Sequence, residues 1–68
     1  MKITLNNQTE EIKGYDRITI QELLDIKKFT FKSLIVKVNG IVIKKEDYDK
    51  TVIYDGDDVA VIHLLAGG

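Results

Sequence analysis

The chain has 68 residues, 44% of them hydrophobic and 31% charged, and its ten basic and eleven acidic side chains leave a net charge of −1. Such a length permits one domain, 1–68, which hides only about 60% of the surface its unfolded chain exposes, so a deep internal pocket is not expected and function belongs on a surface or at an end. Balanced charge argues against nucleic acid: the nearest approaches to basic clusters, Lys27-Lys28-Lys32 and Lys44-Lys45, are accompanied by acidic residues and lack an aromatic placed for base stacking.

The absence of cysteine removes disulfides, thiolate nucleophiles and cysteine-based metal sites. The N-terminus turns polar after Leu5, unlike a signal peptide, and no apolar run approaches membrane-spanning length. A soluble, cytoplasmic protein is expected.

Lys2-Ile3-Thr4-Leu5 alternates polar and apolar, the period of a half-buried strand. After the polar break Asn6-Asn7-Gln8, Thr9 to Lys13 reads as a weaker strand with Ile12 pointing inward, which completes an opening hairpin. Thr19 and Glu22 have the spacing of a capping box, with Ile18 and Leu23 as its hydrophobic staple. The helix that follows carries Ile20, Leu23 and Leu24 on one face and Ile26 at its margin. It is expected to end near Lys28, with Lys27 and Lys28 in a last turn that suits positive charge.

Leu34 to Val38 is the third strand, and Asn39-Gly40 is a strong hairpin signal leading into the short strand Ile41-Val42-Ile43. Lys44 to Lys50 holds a single helical turn at most, with Tyr48 plugging the edge of the core. Asp55-Gly56-Asp57 is a turn, and Asp58 to Leu64 is the last strand. That strand is apolar on both sides, although one helix can cover only one face of a sheet. Val59 and Val61 fit the helix side, so Ala60, Ile62 and Leu64 face outward and are expected to meet a partner. The order strand, strand, helix, strand, strand, strand describes an α+β fold: a mixed sheet of four to five strands with one main helix on one face.

Little in the body of the chain suggests catalysis. His63 is the single histidine and has no metal-ligand spacing around it. Asp55, Asp57 and Asp58 lack the continuation of a calcium loop, and Ser33 stands outside any nucleophile motif. No catalytic residue and no metal ligand is assigned.

The end of the chain is different. It reads Leu64-Leu65-Ala66-Gly67-Gly68. Two terminal glycines arise by chance in roughly 0.5% of chains, given glycine at about 7% of average composition. Lacking β-carbons, they can enter a narrow channel in any backbone conformation. The four residues from Leu65, read as a flexible tail, reach about 13–14 Å at most, enough to thread a carboxylate into another enzyme. A carboxylate converted to a mixed anhydride with AMP becomes open to attack by sulfur. With no side-chain thiol available, a sulfur carrier would have to use this main-chain end.

These features together resemble the thiamine-biosynthesis sulfur-carrier (ThiS/MoaD-like) family, small ubiquitin-like proteins of the β-grasp fold. The resemblance runs along nearly the whole chain. It is carried by Ile3-Thr4-Leu5-Asn6, Val38-Asn39-Gly40, Val42 with Tyr48 six residues on, Asp55-Gly56-Asp57-Asp58-Val59 and Ala66-Gly67-Gly68. It implies no bound cofactor. A ubiquitin-activating-like adenylating enzyme would spend ATP to adenylate Gly68, sulfur derived from cysteine would convert it to a thiocarboxylate, and thiazole synthase would take the sulfur. Leu65, Ala66 and Gly67 would lie in the partner's channel.

Relatives often carry tryptophan near Tyr48, a difference that concerns packing. The alternatives are the small subunit of molybdopterin synthase, which shares the thiocarboxylate chemistry; a non-covalent ubiquitin-like binding module; and a modifier joined to lysines.

Overall fold

The computed structural model describes residues 1–30 and 33–64. Strands β1 (Lys2–Leu5) and β2 (Gln8–Glu11) form the opening antiparallel hairpin, with Leu5 opposite Gln8. The connecting Asn6 and Asn7 take φ of 51° and 67°, a left-handed pair that asparagine tolerates. The ladder begins one residue earlier and ends two residues earlier than the alternation suggests. Ile12 lies past its end yet is buried, because its N–H donates to the Met1 carbonyl at 2.8 Å and carries the pairing one step further.

Thr19 caps α1 (Ile20–Ile26) as the sequence requires. Its Oγ1 accepts the Glu22 N–H at 3.1 Å, and Glu22 Oε1 accepts the Thr19 N–H at 2.8 Å. The Ile20 and Gln21 amides donate to the carbonyls of Thr51 and Tyr48. The first helical amides, which have no acceptor within the helix, are thereby satisfied, and the chain after residue 47 is tied to the helix start.

The helix stops two residues short of the expected end. Lys28 turns left-handed at φ 57°, its N–H donates to Asp25 O, and Phe29 N–H donates to Leu24 O at 2.8 Å, a Schellman closure. Lys27 is consequently the C-cap, outside the last turn, and its ammonium meets Glu10 Oε1 of β2 at 2.7 Å.

β4 (Leu34–Val38) and β5 (Ile41–Ile43) are joined by Asn39-Gly40 at φ 51° and 83°. A 3-10 turn at Lys45–Asp47 follows, and Tyr48 closes the core edge, its phenol pKa raised above the ordinary 10.0 by burial. β7 (Asp58–His63) ends the described chain but for Leu64.

Two further strands escape the sequence reading. β3 (Arg17–Thr19) and β6 (Val52–Tyr54) pair antiparallel in a separate ribbon, with Ile18 directly opposite Ile53. Three residues are too few to display alternation, and each strand contributes a single fully buried side chain.

The main sheet has the order β2-β1-β7-β4-β5. Only the β1–β7 contact is parallel; β7 pairs antiparallel with β4 on its other side. Ile3, Leu5, Val36, Val59 and Val61 from the sheet form one core with Ile20, Leu23 and Leu24 of the helix and Ile18 and Ile53 of the ribbon. Each such apolar side chain contributes about 1.5–3 kcal/mol on burial. The architecture is the α+β mixed sheet with one helix that the chain order implied.

Candidate functional site: the uncovered sheet face and the chain end

β7 lies in the middle of the sheet, and its residues point alternately to opposite faces. Val59 and Val61 are buried on the helix side, as expected. Ala60 on the other side is half-buried, while Ile62 and Leu64 are 41% and 44% exposed. The expected outward placement of these three residues therefore holds.

The register adds residues that reading β7 alone misses. Ile62 stands opposite Ile35 of β4, and Ala60 opposite Lys37. Lys37 in turn stands opposite Val42 of β5, which is 59% exposed. Because cross-strand partners share a face, Ile35, Ala60, Ile62 and Val42 form one outward apolar surface around Lys37. The alternation of β4 contains the signal, since Val36 turned inward puts Ile35 and Lys37 outward, but only the pairing register shows that they adjoin β7.

The face leads directly towards the chain end. Leu64 N–H donates to the Ser33 carbonyl at 3.0 Å, which extends the β4–β7 pairing by one step and holds the chain to the sheet as far as residue 64. Leu65, Ala66, Gly67 and Gly68, the expected tail and carrying residue, lie outside the described residues. His63 is exposed at the end of β7, opposite Leu34.

The acidic turn is a clamp at the opposite end of β7. Asp55 Oδ1 accepts the Lys2 N–H at 2.7 Å, and Asp57 Oδ2 accepts the Tyr54 N–H at 2.9 Å. Asp57 Oδ1 also accepts from Asn39 Nδ2, while Asn39 Oδ1 accepts the Asp58 N–H at 2.9 Å. At the tail end, Asn6 Oδ1 accepts the Val61 N–H at 2.8 Å. Asp55 and Asp57 thus serve the backbone of neighbouring segments and hold the start of β7 between β1 and β4. Among the described residues no group of three or more His, Cys, Asp or Glu side chains could hold a metal ion, and no helix is long and apolar enough to cross a membrane.

Two solved structures share this arrangement. The crystal structure of a thiamine biosynthesis protein (ThiS) from Geobacter metallireducens is 30% identical, with full coverage of both chains and a TM-score of 0.90. The NMR solution structure of a thiamine biosynthesis protein from Geobacter metallireducens superposes with a TM-score of 0.82 at 30% identity, covering all of this chain and 88% of the other. The sequence model of the ThiS family matches residues 3–68, from the first strand through the final glycine. With its ubiquitin-like mixed sheet and single helix, the chain belongs to the ThiS family.

Proposed function

We propose that this protein is a sulfur carrier of thiamine biosynthesis, a co-substrate of other enzymes and not itself a catalyst, and that Gly68 carries the sulfur. The observation that carries this reading is the extent of the family match, which runs through Gly67 and Gly68 and does not stop at the folded body. The chemistry follows from the chain end. A Gly68 carboxylate oxygen attacks the α-phosphorus of ATP within an adenylating enzyme, and pyrophosphate leaves. The resulting acyl-adenylate has AMP as its leaving group, so a sulfur nucleophile derived from cysteine can take its place and leave a thiocarboxylate. Thiazole synthase is the acceptor of that sulfur in the cytoplasm.

The folded body supports this role by what it keeps in place. Asn6 and Ser33 hold β7 and Leu64 to the sheet, so the four following residues start from a fixed point beside the outward face. Ala60, Ile62 and Leu64 on that face are the surface against which a partner would seat while Leu65, Ala66 and Gly67 enter its channel.

Intact mass spectrometry tests the reading. Incubation with ATP, the cognate adenylating enzyme and a cysteine-derived sulfur source is expected to add about 16 Da, the exchange of one oxygen for sulfur at the chain end. Active enzyme with no mass change would reject it in favour of a binding module, and covalent attachment to lysines of other proteins would indicate a modifier. Complementation separates the two sulfur pathways: rescue of a molybdenum-cofactor mutant without rescue of a thiamine auxotroph overturns the thiamine assignment.

A further inference from the structure

Lys37 is the one charged residue of β4. It is the fourth of the five residues of β4, a strand with β7 on one side and β5 on the other. Charge on an edge strand guards against unwanted pairing, but β4 is an interior strand and needs no such guard. Its neighbours across the sheet are Ala60 and Val42, and Ile35 precedes it on the same face. The side chain is half-buried among these apolar groups. Burial of the stem is ordinary for lysine, whose ammonium then reaches past the apolar surface.

Among the described residues that ammonium has no ion-pair partner. The salt bridges among the described residues are Lys13 with Glu11 and Lys27 with Glu10. Asp58 is the diagonal neighbour of Lys37 on β7, two residues before Ala60, yet no ion pair joins them. An unpaired cation beside an apolar patch costs free energy when that patch is covered, unless the covering surface brings an acceptor.

We propose that Lys37 is the specificity-determining contact of this face, and that the adenylating partner covers it with an apolar surface bearing one carboxylate opposite the ammonium. The inference rests on the carrier reading and goes beyond it by assigning the partner's chemistry. Ile35, Ala60, Ile62 and Val42 keep water from one side of the pair, which strengthens it. Proteins offering an apolar patch without the carboxylate are rejected, because binding them strands the charge.

The test is the KM for this protein in the ATP-dependent adenylation reaction, with Lys37→Met and Lys37→Glu compared against Lys13→Met on a remote surface. Methionine keeps the length and apolar contact of the stem and removes only the charge. Lys37→Met is expected to raise KM about tenfold or more with kcat little changed, and Lys37→Glu more still. Raising the salt concentration should raise the wild-type KM and have less effect on Lys37→Met. Asp58→Asn should leave KM within about twofold; a change equal to that of Lys37→Met would make Lys37 an internal partner of Asp58 and overturn the proposal. Equal or tighter binding by a folded Lys37→Met would also overturn it, since the face then asks only for apolar cover. Wild-type protein that is not adenylated at all would instead reject the carrier reading.

Discussion

The two faces of the central sheet are built from the same kinds of residue and do different things. On β7, Val59 and Val61 are buried on the helix side, while on the other side Ala60 is half-buried and Ile62 exposed. On β4, Val36 is fully buried and Ile35 and Lys37 on the reverse side are half-covered. The inner face accounts for the stability of a domain with one helix and one core. The outer face contributes little to that core, and it is the surface on which we propose that a partner seats. The contrast predicts that inner-face changes alter stability while outer-face changes alter association.

The largest stability effect should come from the core. Leu23 is wholly buried, and Leu23→Ala is expected to cost about 2–5 kcal/mol. In so small a domain that loss lowers the thermal midpoint by about 8 °C or more, at roughly 4–8 °C per kcal/mol. Calorimetry or urea denaturation would show it, and a loss under 1 kcal/mol would mean that the helix does not organise this core. Thr19→Ala should cost about 1 kcal/mol by removing one half of the capping box, read in the same way.

Ile62→Asp sharpens the contrast from the other side. Its effect on unfolding should be about 1 kcal/mol, below that of Leu23→Ala, while affinity for the adenylating partner falls at least tenfold. A variant that binds normally would remove the outer face from the interface. Lys28→Gly should stabilise slightly, by about 0.5–1 kcal/mol, because Lys28 is held left-handed at φ 57° where glycine carries no steric penalty.

Tyr48 supplies a pH test of the inner core alone. Burial raises its pKa, so the folded state favours the neutral phenol. The associated stability is fully present below pH 10 and is lost as pH rises through the folded pKa. Tyr48→Phe should flatten that alkaline decline in a stability–pH profile.

Much of this was legible before any coordinates. The capping box at Thr19 and Glu22, the Asn39-Gly40 hairpin, the burial of Tyr48 and the outward placement of Ile62 all follow from local chemistry, because each depends on residues close together in the chain. The ribbon of β3 and β6 was not legible: Ile18 and Ile53 meet across 35 positions of sequence, and neither segment is long enough to declare its period. The helix end is hidden in the sequence for a related reason. Lys28 lacks the glycine that usually marks a left-handed cap, and the packing of Phe29 against the core accompanies the turn. At the site, β7 showed its own outward residues, whereas Ile35, Lys37 and Val42 came to it only through the register.

The sequence by itself determined the start of the helix, the five strands of the main sheet and the Gly67-Gly68 end, because turn residues, capping pairs and hydrophobic period act over a few positions. The tertiary structure decided which strands are neighbours, and therefore that Lys37 of β4 adjoins Ala60 of β7 and Val42 of β5. Pairing order and register depend on how the whole core is buried, and that is a property of no single segment.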